Sequence, residues 1–97
     1  MKTYKMLDIS TGHLSEKDNQ LLDDPQSLPF TCAIYEEGFI INIAMFTDPG
    51  LVEKLKQKKS FSPDFFKIIE RAFAEECTHI NFDRDGEEYE EFAKFNW

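Results

Sequence analysis

The spacing of apolar and polar residues divides this chain into short strands and amphipathic helices. Residues 3–9 carry Tyr4, Met6, Leu7 and Ile9 and read as an opening strand. Ser10-Thr11-Gly12-His13-Leu14 then reads as a turn. Ser15 followed by Asp18 resembles a capping box with Asp in place of Glu, opening a short helix over residues 16–22 that buries Leu21 and Leu22. Pro25 lacks an amide donor and restricts Asp24, so that helix stops before it.

Residues 30–35 and 39–46 read as a β-hairpin closed by Glu36-Glu37-Gly38, with Gly38 free to take positive φ. The second strand is apolar on both faces, with Phe39, Ile41, Ile43 and Met45 on one and Ile40, Ala44 and Phe46 beside Asn42 on the other. Such a pattern suits a central strand, or one whose second face meets a partner. Asp48-Pro49 starts a helix with Leu51, Val52 and Leu55 on one side and Lys54, Lys56, Lys58 and Lys59 towards its C-terminal end, where the helix dipole favours cations. The best-marked helix follows. Ser62 caps it, Pro63 opens its first turn, Asp64 complements the dipole and Phe61 is placed to staple onto Phe66. Phe65, Phe66, Ile68, Ile69, Ala72 and Phe73 share one face, with Lys67, Glu70, Arg71 and Glu75 outside it.

Residues 78–82 read as a further strand, and Asp85-Gly86 as the turn into a last strand over residues 92–97, where Phe92, Phe95 and Trp97 supply apolar bulk. The order β-α-β-β-α-α-β-β predicts one α+β domain over residues 1–97. Its sheet is mostly antiparallel, of four to five strands, with two to three helices on one face. The leading βαββαβ portion is compatible with a ferredoxin-like arrangement.

Composition narrows the class. Ninety-seven residues suit one domain, and ten Phe residues can build its core without disulfide or metal. The longest apolar run, residues 39–46, is far short of a membrane span, and the N-terminus lacks the apolar stretch of a secretory signal. Cys32 and Cys77 have no CxxC partner and read as buried free thiols, which fits the reducing cytoplasm. Net charge is −8, distributed as −5 over residues 1–50, +3 over residues 51–61 and −6 over residues 62–97. A surface of that sign repels phosphate backbones and anionic lipid, so direct nucleic-acid and membrane binding are disfavoured.

Few residues offer chemistry, and nothing calls for a cofactor. Asp8 and His13, near a strand end among hydroxyls and Gly12, would make a general base with an orienting carboxylate in a small enzyme or ligand-binding pocket. The competing reading makes His13 a turn residue bonded to backbone groups. Asn81, Asp83, Asp85 and Gly86 match positions one, three, five and six of a calcium loop, but position twelve is Phe92, and Glu91 falls one step early. A plain Asp-Gly turn accounts for the stretch better. Cys77 and His79 are a two-ligand fragment that would need His13 and Cys32 to complete a zinc set. The run from Asp83 to Glu91 holds six carboxylates, Asp83, Asp85, Glu87, Glu88, Glu90 and Glu91, against Arg84. It reads as a solvated loop, as a docking surface for a basic protein partner, or as a mimic of DNA phosphates. Lysines 54 to 59 would alternatively lie against it within one molecule.

Residues Lys5 to Leu14, with Ser10-Thr11-Gly12-His13, together with Phe82-Asp83-Arg84-Asp85-Gly86 running on to Trp97, resemble a family of small bacterial proteins without an assigned activity. Its marks are an opening strand followed by Ser-Thr-x-His and a closing Phe-Asp-x-Asp-Gly…Trp segment. The resemblance implies a bacterial accessory protein of the kind carried on mobile elements, and directs interest to His13, Asp83 and Asp85 without giving them roles. Charge, the two-sided apolar strand and the lack of a catalytic constellation together favour a non-enzymatic module that binds another protein or a second copy of itself.

Overall fold

A computed structural model describes residues 4–57 and 61–97 of the chain. Among these residues four strands form one sheet: β1 (Met6–Ser10), β2 (Cys32–Tyr35), β3 (Gly38–Asn42) and β4 (His79–Asp83). Three helices accompany them: α1 (Glu16–Leu22), α2 (Pro49–Gln57) and α3 (Pro63–Ala74). The sheet order is β1-β4-β3-β2, with β2–β3 and β3–β4 antiparallel and β1–β4 parallel. The chain is an α+β domain with a mixed sheet. The order is not ferredoxin-like, because β1 lies at the edge and pairs in parallel with β4, which slots between it and the hairpin.

Local signals explain the helices. The Ser15 side chain accepts the Asp18 amide and caps α1, while Ser62 does the same for the Phe65 amide at α3. The Asp18 carboxylate does not complete a capping box. It is buried and accepts from both the amide and the hydroxyl of Ser62, so one side chain ties the starts of two helices together. Phe61 stacks on Phe65 at 4.3 Å instead of stapling to Phe66, whose ring lies under the Lys56 ammonium. Helix α3 closes in a Schellman motif, with Cys77 N donating to Ala72 O and Glu76 N to Phe73 O. Its left-handed position is Glu76, at φ 59°, where glycine is the usual choice.

One face of the sheet is covered. Leu7 and Ile9 of β1, Ile80 and Phe82 of β4, and Phe39 and Ile41 of β3 pack with Leu22, Leu55, Phe65, Ile68, Ile69 and Ala72 of the helices in one core. The other face is left open.

Three expectations need correction. Strand β3 ends at Asn42, whose side chain accepts the Ala44 amide and turns the chain into a 3-10 turn over Ala44–Thr47. Ile43 and Phe46 are both buried there, so the two-sided apolar pattern comes from a strand followed by a turn and calls for no partner. Gly38 does not take positive φ. A Cβ at this position would lie 1.7 Å from Phe82 O, so glycine is required by the close approach of β3 to β4. Finally, residues 92–97 form no strand. Residues 84–97 are a strap across the β1 end of the sheet, with Ser10 N donating to Glu87 O, Phe95 N to Gly12 O and Trp97 Nε1 to Leu14 O. Phe92 is the buried anchor of this strap. The expected inclusion of Thr3 in the first strand, and Lys58 and Lys59, lie outside the described residues.

Candidate functional site

The open sheet face is built by alternation. In β1 and β4 every second residue points away from the helices, which sets Asp8 beside Asn81 and places Asp83 on the same face at the end of β4. Asn81 Nδ2 donates to Asp8 Oδ1 at 3.1 Å. From β2, the Tyr35 hydroxyl lies between Asn81 Oδ1 and Asp83 Oδ2, at 3.1 Å from the latter. A continuous chain of polar contacts therefore runs Asp8–Asn81–Tyr35–Asp83 across three strands. Its charges raise the cost of ionising the phenol. Burial, then the hydrogen bond to Asp83 and the charge of that carboxylate, push Tyr35 from an ordinary 10.0 to about 12. Around the chain lie exposed apolar groups: Met6, Ala33 and Tyr4, whose ring meets His79 edge-on at 5.3 Å.

One end of this face is strongly acidic. The Arg84 amide donates to Glu37 O, so the β2–β3 turn with Glu36 and Glu37 lies against the turn that follows β4. Asp83 Oδ1 accepts the Asp85 amide, closing that turn. The turn bearing Glu36 and Glu37 thus stands against the turn bearing Asp83, Arg84 and Asp85, although the two are nearly fifty positions apart in sequence. That two-turn cluster escapes sequence reading because it depends on β4 entering beside β3.

The strap carries the remaining carboxylates, and it treats them unequally. Glu91 pairs with Arg71, and Glu88 pairs with Lys94 at 3.4 Å, while Glu87 and Glu90 are exposed. Among the described residues these are the ion pairs of the run, so the acidic stretch does not lie against Lys54 and Lys56.

Asp8 and His13 are not brought together. The Asp8 carboxylate faces Asn81 on the open side, whereas His13 is buried beneath the strap. Tyr89 N donates to His13 Nε2 at 2.9 Å, which makes Nε2 the unprotonated nitrogen. Nδ1 then donates to Ala93 O, also at 2.9 Å. Both ring nitrogens are committed to backbone groups some eighty residues away, and the Phe92 ring meets the imidazole edge-on at 5.7 Å. His13 is a peg for the strap and has no nitrogen left to act as a base.

The metal expectations fare similarly. Among the described residues, no three His, Cys, Asp or Glu side chains gather where they could hold an ion. Asn81 and Asp83 do share the open face, but Tyr35 occupies the space between their oxygens. Cys32 faces Leu22 O, and burial with the nearby Asp23 charge raises its thiol to about 11, leaving it protonated and a poor ligand. Cys77 is buried at the end of α3. Among the described residues no helix is long and apolar enough to cross a membrane.

Comparison with known proteins adds one decisive match. Residues 6–97 fit the model described as "Family of unknown function (DUF5983) C-terminal domain". The chain belongs to that family. No curated protein and no solved structure matches it. The DUF5983 match begins with β1 and ends at Trp97, so it takes in the sheet, the helices and the strap alike.

Proposed function

We propose that this domain is a non-enzymatic interaction module that captures a basic segment of another protein on the acidic end of its open sheet face. The reading is supported by one arrangement above all: the β2–β3 turn with Glu36 and Glu37 lies against the turn that runs from Asp83, at the end of β4, to Asp85, with Asp8 along the same face as Asp83. A lysine- or arginine-rich segment lying there would meet carboxylates on one side. Met6, Ala33 and the rings of Tyr4 and Tyr35 offer the apolar contact that an interface core needs. Glu87 and Glu90 of the strap extend the acidic field, whereas Glu88 and Glu91 contribute less because Lys94 and Arg71 already offset them.

A net charge of −8 also favours such a partner kinetically, since long-range attraction raises the encounter rate of oppositely charged proteins at low ionic strength. The test is affinity capture from extracts of the native host at low salt. A partner with a basic segment should be retained, and it should elute as salt is raised past the range where exposed charges are screened. Recovery of no protein at low salt, or of one whose retention ignores salt, would remove this function.

A further inference from the structure

A cavity of about 570 Å³ lies where the three helices meet, well away from the open sheet face. Its charged lining comes from all three. Lys17 arrives from α1, Lys56 from α2 and Lys67 from α3, with Glu70 the single carboxylate among the lining residues. The floor is aromatic, made by Phe61 and Phe66. The Asp18 carboxylate lies behind Ser62, bonded to that residue's amide and hydroxyl, and is a second anion beside the hollow. In a chain with 19 acidic and 11 basic residues, three ammonium groups around one apolar hollow run against the charge of the rest of the molecule.

A second hollow, of about 460 Å³, shares Lys56, Phe66 and Glu70 with the first and continues between α2 and α3 past Ile69 and Phe73. The two therefore form one trough, with Lys17, Lys56 and Lys67 at its mouth and, towards the other end, Val52, Ile69 and Phe73 beside the Glu53 and Glu70 carboxylates. We propose that this trough binds a small anionic amphiphile, with its carboxylate, sulfonate or phosphate head among Lys17, Lys56 and Lys67 and its aromatic or aliphatic body along Phe66, Ile69 and Phe73. Ligand sites of about 300–1,000 Å³ with apolar walls and a few convergent polar groups are the usual kind. Lysine ammonium groups serve as point-charge donors to an anionic head. The Lys56 ammonium, 5.3 Å from the Phe66 ring centre, is already held over the apolar floor where such a head would meet it. The acidic remainder of the surface repels anions and so restricts them to this mouth.

Titration of the intact folded chain with anilinonaphthalene sulfonate, an aromatic sulfonate that brightens on apolar burial, tests the proposal. The expected result is saturable binding that decanoate and decyl phosphate displace, but inorganic phosphate and a decyl trimethylammonium cation do not. Lys56→Gln and Lys67→Gln should each weaken it about three- to tenfold, as expected for loss of one charged donor. Lys54→Gln, on α2 but outside the lining, should leave it unchanged. All three are exposed positions, and circular dichroism checks that each variant keeps the fold. No saturable binding, equal affinity in both lining variants and the parent, or displacement by the cation would each overturn the proposal.

Discussion

The two faces of the sheet are held by different physics. The covered face is an apolar layer in which Phe65, Phe82, Ile9, Ile41 and Ile68 are almost wholly removed from water. Its stability is non-directional and scales with area. The open face has a polar chain, Asp8–Asn81–Tyr35–Asp83, which is exposed at Asp8 and half-buried around Tyr35. Apolar layers tolerate no truncation, whereas a solvated polar chain can lose a member cheaply. The face that carries the proposed function is therefore the one that mutation can alter without unfolding the domain.

Three substitutions sharpen that contrast, beginning with the largest effect. Phe65→Ala removes a ring that touches Phe46, Phe61, Phe66 and Phe82, and should cost about 4 kcal/mol in urea unfolding. A loss near that of a surface residue would mean the helices do not cover the sheet as described. His13→Ala strands the Tyr89 amide and the Ala93 carbonyl and opens a space beneath the strap, for a cost of about 3 kcal/mol. Trp97, the only tryptophan, lies at the end of that strap, exposed but with its indole N–H on Leu14 O, so loosening the strap in this variant should lower its fluorescence anisotropy.

Tyr35→Phe, on the open face, should change stability by less than about 1 kcal/mol at neutral pH. Its signature is instead at high pH. Because the folded-state phenol is raised to about 12 from 10.0, the protonated form is favoured by folding, and that contribution is complete below pH 10 and is lost as pH rises towards 12. Unfolding measured across that window should therefore fall less steeply in Tyr35→Phe than in the parent. Tyr89, raised mainly by burial, leaves a residual slope of the same sign in both proteins. Parallel slopes would place the phenol outside the Asp83 field.

Much of the covered layer is legible in the chain because its causes are local. Ser15 and Ser62 cap their helices within three residues, Pro49 and Pro63 open theirs, and the apolar face of α3 repeats at helical spacing. What stays hidden depends on distant pairing. Nothing near residues 79–83 says that β4 enters beside β1 in parallel, or that the Glu36-Glu37 turn meets Arg84. His13 shows the limit most clearly: the chain favours a turn residue bonded to backbone over a base, but its two partners lie 76 and 80 positions away and so stay hidden. Phe92, Phe95 and Trp97 mislead for a related reason, since one buried anchor with apolar neighbours in a strap and apolar residues in an edge strand look alike without the ladder that distinguishes them. Glu76 gave no helix-stop signal either, because a glycine is the usual mark of the left-handed position it occupies.

In the proposed function a basic segment docks at the acidic end of the open face and not along the strap. Fluorescence anisotropy of a labelled lysine-rich peptide, titrated at low salt, addresses it directly. The parent chain should bind saturably. The triple variant Glu36→Gln, Glu37→Gln, Asp85→Asn should bind about tenfold more weakly, while Glu88→Gln with Glu91→Gln, whose carboxylates already face Lys94 and Arg71, should bind nearly as well as the parent. Equal weakening in the two variants, or a greater loss in the strap variant, would contradict the account.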